Sequence, residues 1–448
     1  MNKDGLVDSI GCPHCGRGFT ADRLHFIARS SLLSFDHRLP DGQKRRFLPS
    51  RFTPQGDAID AGGEVCSETA CPDCHLPVPR LLALRKTLSF SIFGSPSSGK
   101  SYLLGAMSRT LRRRCGNAGV RFDDVDVSMN GILLDYESRM FNQPSPDRWV
   151  WLDKTGETGD WYSTVWYGPR FDREGASLAA RNTKTFPKPF LFRLDVNAGH
   201  PQERNASDLS RVVCLYDNAG EHFQAADDRL TLVTSHLKHA HGLIFVYDPT
   251  QEPSFRDACR ERSQDPQFRG SFVNTQDILY GNVMNRILML RGMAATELVR
   301  TPLVVALTKF DSWRFLLGKG DLPEIFRRTP LSPDGESNQT VDAIDPLLVK
   351  KVSDLCRELL RRVAPQVVHT VESRCEASRV LYVPVSATGG PPEGTLGDRE
   401  WPFHPEPAPE SNGMSFFLAG KLRPMWAEAP MLALLHECVP GLVPALVR

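Results

Sequence analysis

Gly94-Ser95-Pro96-Ser97-Ser98-Gly99-Lys100-Ser101 decides how the rest of the chain is read. The octet fits G-x-x-x-x-G-K-[ST] and stands between an apolar run, Leu88-Ser89-Phe90-Ser91-Ile92-Phe93, and a helical segment. Leu103, Leu104, Met107 and Leu111 recur there at helical spacing and give that helix one core-facing stripe. The chemistry accounts for the spacing. Glycines let backbone N–H groups curl around a β-phosphate, and a helix N-terminus adds the positive end of its dipole. Lys100 would reach the β- and γ-phosphates and the Ser101 hydroxyl would ligate Mg²⁺, with Tyr102 closing the nucleotide-contacting stretch. Pro96 has no N–H, so the residues after it must form the cradle.

From residue 86 onward, short β-branched and aromatic runs alternate with longer helical stretches. That texture predicts βα units and a three-layer α/β/α fold around a mainly parallel sheet. Strands are expected at 86–93, 189–196, 211–216, 242–247, 302–307 and 380–385. Helices are expected at 101–114, about 222–239, 275–290, 346–372 with a break near Pro365, and about 425–437. Residues 116–182, which hold Trp149, Trp151, Trp161 and Trp166, read as an insertion, and 389–423 as a Pro/Gly-rich loop. The insertion either displays the state of the site to a partner or simply adds to the core.

Two further motifs sit at strand ends. Asp217-Asn218-Ala219-Gly220 closes the third expected strand, 117 residues after Lys100. There Asp217 could hold Mg²⁺ through water, and the Gly220 N–H could approach a γ-phosphate. Thr308-Lys309-Phe310-Asp311 follows the buried run Leu303-Val304-Val305-Ala306-Leu307. One carboxylate can accept from both N1–H and the 2-amino group of guanine, a pattern adenine lacks, so Asp311 would select GTP and GDP over ATP. Lys309 would lay its stem over the base, and the Ser386-Ala387-Thr388 backbone would donate to guanine O6.

Together these motifs resemble a TRAFAC-class P-loop GTPase over about residues 86–388 and the final helix: GSPSSGKS as its first motif, DNAG as the third, TKFD as the fourth and SAT as the fifth. Thr308 in place of asparagine is a variant shared with Rho-type GTPases. The resemblance implies a G domain over 86–448 that binds GTP or GDP with Mg²⁺. The proline in the first motif, the cysteine knuckles described below, and DNAGE followed by a late R-P-x-W-x-E-x-P-x-L segment (423–432) further resemble the double-GTPase proteins of bacterial conflict operons. That implies a nucleotide-gated role beside operon partners or another protein effector in a multi-protein, defence-like system.

A switch threonine is expected just before the second strand, to grip Mg²⁺ and the γ-phosphate. Thr183 and Thr185 both qualify, and Thr185 is nearer. Where Ras-like proteins orient the attacking water with glutamine, this chain has Glu221, then His222. A carboxylate there would position water but also repel the phosphate, so slow hydrolysis is expected, with Lys100, Thr185 and Glu221 as the catalytic set. Arg181 is either an arginine finger in cis or a solvated loop residue.

Cys12-Pro13-His14-Cys15 and Cys71-Pro72-Asp73-Cys74 are two C-x-x-C turns within a loop-rich stretch, 1–85, read as a zinc-ribbon-like module. Four thiolates close a tetrahedral structural Zn²⁺ site. Cys66, His14 and His75 are substitutes within reach of sequence reading. A redox pair fits less well, since neither knuckle follows a strand and opens a helix. The remaining cysteines among the eleven are scattered singly, which fits a reducing, cytoplasmic setting.

Net charge is +1, so no global field favours nucleic acid. No run approaches the roughly 18 apolar residues of a membrane span, no signal-peptide core is present, and the ALVR end carries no prenylation box. Two other functions stay open at this stage. One is a scaffold that binds nucleotide without hydrolysing it; the other is an RNA- or ribosome-associated GTPase that uses the ribbon.

Overall fold

Arg211–Asp217 is apolar at every interior position, the composition of a strand covered on both faces. In the computed structural model it lies inside a sheet, with Val212, Val213, Cys214 and Leu215 at most 1% exposed. The structure describes residues 6–40, 42–142, 150, 152, 162–167, 182–218, 223, 233–263, 265–269, 276–318, 322–331, 339–391 and 421–446.

The main sheet is built from β1 (Lys86–Gly94), β2 (Val120–Asp124), β3 (Phe190–Val196), β4 (Arg211–Asp217), β5 (Gly242–Tyr247), β6 (Leu303–Leu307) and β7 (Val380–Pro384). Its seven strands run in the order β7-β6-β5-β1-β4-β3-β2. The first five are parallel; β3 is antiparallel to β4, and β2 is antiparallel to β3. The fold is therefore mixed α/β around a mostly parallel sheet. The strand order reverses at β1, which puts β4 on one side of it and β5 on the other.

α1 (Lys100–Arg114) follows β1 and buries Leu103, Leu104, Met107 and Leu111. α2 (Gly131–Phe141) packs closely on it: a Cβ on Gly105 would meet Met140 Sδ at 2.9 Å and Tyr136 Cβ at 3.2 Å. Both α2 and the edge strand β2 fall in the stretch read as an insertion, so that stretch helps build the sheet and its cover. Further on come α3 (Gln276–Arg291), α4 (Pro346–Val363), α5 (Pro365–Glu372) and α6 (Ala429–Cys438). The break between α4 and α5 falls at Ala364, where Pro365 cannot continue the hydrogen-bond ladder. α6 begins later than expected, because Met425 instead pairs its backbone with Ser386. Of the helix expected over about 222–239, the described residues are Phe223 and 233–239, of which Ser235–His239 form a 3₁₀ turn. No helix among the described residues is long and apolar enough to cross a membrane.

Residues 6–85 form short antiparallel pairings: Ile10–Gly11 with Gly18–Phe19, His25–Ile27 between Arg46–Phe47 and Thr69–Ala70, and Ala58–Ile59 with Val65–Cys66. Their small core is shared. Cys12, Cys71, Cys74 and Leu76 pack in one cluster with Val212 of β4 and with Val165 and Phe186. The last two come from a hairpin of Tyr162–Tyr167 against Asn182–Pro187.

Candidate functional site

Five parallel strands release their loops at one end of the sheet, and the candidate residues gather there. Gly94 ends β1 where a Cβ would sit 2.7 Å from the Val246 carbonyl, so the next strand leaves room for glycine only. Ser97 (φ 62°) and Gly99 (φ 87°) then take left-handed conformations that turn the chain into α1. Lys100, buried, forms an ion pair with Asp217 at the end of β4 and donates to the Asn218 carbonyl at 2.9 Å. The Asn218 side chain donates to Ser91 Oγ at 2.8 Å, which anchors that corner to β1. Ser101 and Tyr102 lie in the first turn of α1, and the Tyr102 hydroxyl reaches the Val150 carbonyl at 3.3 Å. Ser98 Oγ is buried without a partner among the described residues.

After β6, Thr308 joins the two loops: its hydroxyl donates to the Ser98 carbonyl at 3.0 Å. Lys309 takes a left-handed φ of 56° and places Nζ 2.5 Å from Asp248 Oδ2 and 2.5 Å from Gln267 Oε1. Asp311 is half-buried. Burial raises its pKa, while hydrogen bonds from Ser386 and Ser312 pull the other way. Asp311 and Ser386 thus meet. Ser386 Oγ accepts from the Gly389 N–H at 2.8 Å and from the Thr388 N–H at 3.3 Å, with Ala387 partly buried beneath. Gly389 has φ 79°, and a Cβ there would sit 2.0 Å from the Arg423 carbonyl. The late 423–432 segment therefore clamps this loop, since Arg423 N donates to the Thr388 carbonyl at 2.8 Å and Met425 pairs with Ser386.

Sequence reading missed Asp248 and Gln251. Asp248 is fully buried at the end of β5 and caps the turn that follows by accepting from the Thr250 N–H at 2.9 Å. Gln251 accepts from Ser95 Oγ at 3.0 Å and donates to the Pro96 carbonyl at 3.1 Å and to Asp248 at 3.3 Å. Asp248 and Gln251 therefore tie Lys309 to the 94–101 loop. The one available signal was an Asp-Pro-Thr turn straight after a buried strand.

Thr185 lies half-buried on the Asn182–Pro187 strand, opposite Thr164 in register, with Thr183 opposite Trp166. The sequence reading expected both just before the second strand and assigned no strand there. Gly220, Glu221, His222 and Arg181 lie outside the described residues.

The four knuckle cysteines converge although 55 residues separate the pairs. Cys12 Sγ lies 3.7 Å from Cys74 Sγ and Cys15 Sγ 3.8 Å from Cys71 Sγ, and all four sulfurs fall within 4.8 Å of one another. A tetrahedral ion with Zn–S bonds of about 2.3 Å needs sulfurs about 3.8 Å apart, so the cluster fits zinc and is too open for disulfides. Burial, reinforced by the neighbouring sulfurs, pushes the Cys12 thiol up. Four clustered thiolates, three of them buried, need a cation to coexist. The expected substitutes are engaged elsewhere. His14 is held between the Pro187 and Pro77 carbonyls, 3.3 and 3.0 Å from its two ring nitrogens, and the neutral ring that burial favours donates to one of them. Cys66 lies beside Asp60, and His75 beside Asp36.

No family model and no curated protein matches the chain. Among solved structures, sup35 complexed with GDP aligns with 68% of this chain at 13% identity and a TM-score of 0.21. The chain spans 38% of that protein's length.

Proposed function

We propose that the chain is a guanine-nucleotide-binding switch of the TRAFAC P-loop GTPase class, with a structural zinc module on its G domain. The observation that carries this reading is the meeting of four separate motifs at the carboxyl ends of parallel strands. Lys100 meets Asp217, the Thr308 hydroxyl holds the Ser98 carbonyl, and Asp311 meets Ser386. Open α/β sheets bind ligands in the crevice where strand order reverses, here beside β1. In this reading Lys100 and the 94–101 backbone hold the phosphates. Ser101 and Asp217 hold Mg²⁺, Thr185 reports the γ-phosphate, and Asp311 with the 386–388 backbone reads guanine. Hydrolysis is slow until a partner adds positive charge, and the double-GTPase resemblance implies that this partner belongs to a bacterial conflict system.

Equilibrium titration tests the base assignment. GTP and GDP should bind at least about a hundredfold more tightly than ATP, because adenine leaves the Asp311 carboxylate unpaired. Asp311→Asn should shift preference toward xanthine nucleotides. Equal affinity for ATP and GTP would overturn the assignment.

A further inference from the structure

The two cysteine knuckles share one plan with one departure. In each, the residue after the second cysteine donates its backbone N–H to the first cysteine's carbonyl, Gly16 to Cys12 and His75 to Cys71, both at 3.0 Å. Both residues are left-handed, with φ of 71° at Gly16 and 61° at His75. Glycine takes that conformation freely, whereas a residue with a Cβ pays about 1 kcal/mol or more. A residue held against its backbone preference calls for a side-chain reason.

The His75 imidazole supplies one. It is 4% exposed, and its Nδ1 lies 2.9 Å from each carboxylate oxygen of Asp36, itself 2% exposed. Asp36 is fixed in turn by the N–H groups of Arg38 and Arg46, each at 2.9 Å. Two more imidazoles meet the His75 ring edge-on, His37 at 5.0 Å and His25 at 5.6 Å between centroids. Ligand atoms of Asp36, His37 and His75 lie within 4.8 Å of one another. His25 Nδ1 is buried with no partner among the described residues.

A buried clasp between Asp36 and His75 would need neither of the other imidazoles. It also leaves His25 Nδ1 unsatisfied, at a cost of about 1–3 kcal/mol. Imidazoles with a carboxylate are the donor set of first-row divalent ions, zinc above all. We propose that Asp36, His37 and His75, with His25 beside them, form a second metal site for a divalent transition-metal ion. It is distinct from the four-cysteine cluster and joined to it by the Cys74–His75 peptide bond.

The test uses the full chain, saturated with zinc under reducing conditions and freed of loose metal by gel filtration. Elemental analysis should find about two equivalents per chain. Zinc-edge X-ray absorption should show sulfur together with nitrogen or oxygen neighbours. His37→Ala and, separately, His75→Gly should each reduce the count to about one equivalent and leave an all-sulfur shell. The cobalt-substituted variants should keep the thiolate charge-transfer band that reports an intact four-cysteine site. One equivalent in the wild type, an all-sulfur shell there, or two equivalents retained in both variants would overturn the second site. The absorption measurement on the wild type decides the question even where a variant fails to fold.

Discussion

The Tyr216 hydroxyl donates to the Pro13 carbonyl at 2.7 Å, joining the residue before Asp217 to the first cysteine knuckle. On the same knuckle, His14 reaches the Pro187 carbonyl on the strand that carries Thr185. The module is therefore keyed to two strands that lead into the candidate nucleotide site. Tyr216→Phe leaves a buried carbonyl unsatisfied and should cost about 1–3 kcal/mol in urea denaturation. An unchanged midpoint and slope would mean that the contact contributes nothing to stability.

The four sulfurs are spaced for one tetrahedral ion. Cys12→Ser combined with Cys71→Ser should abolish the cobalt–thiolate band and loosen the N-terminal module, while guanine-nucleotide binding persists in weakened form. Stoichiometric iron in the purified protein, or a band that survives the double substitution, would count against a zinc site.

Gln251 links Ser95 and Pro96 to Asp248, which in turn faces Lys309. Gln251→Ala should release the 94–101 loop and weaken GDP binding about tenfold, a loss of about 1.4 kcal/mol, with little change in base preference. Asp248→Asn should act through Lys309 instead and erode discrimination between GTP and ATP. Calorimetric titration with the three nucleotides separates the two effects, and identical profiles for both variants would refute this division of labour.

In the proposed function Glu221 follows D-x-x-G in sequence, the place of a water-orienting glutamine in Ras-like proteins, and a carboxylate near a γ-phosphate is costly unless positive charge offsets it. The isolated chain should hydrolyse GTP at the unassisted rate, on the order of 10⁻⁴ to 10⁻² s⁻¹. Glu221→Gln should leave the rate equal or higher, whereas Lys100→Ala should abolish nucleotide binding. Rapid multiple turnover that disappears in Glu221→Gln would instead make Glu221 a dedicated catalytic group.

His236 stacks on Tyr216 with ring centroids 4.1 Å apart, and burial pushes its pKa down to about 3. The unfolded chain, titrating at about 6.5, takes up this proton first. Stability conferred by the neutral ring is thus complete above about pH 6.5 and is lost as pH falls toward 3. Between about pH 6.5 and 5 the loss should reach about 2 kcal/mol. Denaturation of His236→Gln at both pH values should show a smaller drop than the wild type. Equal drops would assign the pH dependence to other groups.

The main-sheet strands were legible because they are covered on both faces. Runs such as Leu303–Leu307 are uninterrupted by polar residues, and their ends are marked by glycine or acidic motifs. β2 was not legible: Val-Arg-Phe-Asp-Asp is an edge strand with Arg121 exposed, too short and too polar for its alternation to stand out. The start of α6 was misjudged because Met425 is drawn into a pairing with Ser386, a long-range contact without a local signature. Asp248 and Gln251 escaped notice for a related reason. Asp-Pro-Thr-Gln reads as an ordinary turn until the topology lays β5 beside β1 and brings Pro96 within reach.

The clamp of Arg423 and Met425 on residues 386–389 also sets an order in time. During synthesis the ribosome releases the 94–101 loop, Asp217 and the 308–311 turn well before residues 421–438 emerge. Until then the 386–389 turn lacks its partner strand, and Gly242 lacks the Leu434 side chain that packs over it. The nascent chain can thus assemble the corner of the 94–101 loop and Asp217 early, but the 386–389 corner closes only when the late segment arrives. Under the proposed nucleotide reading, selectivity for the base would be the last property this protein acquires as it is made.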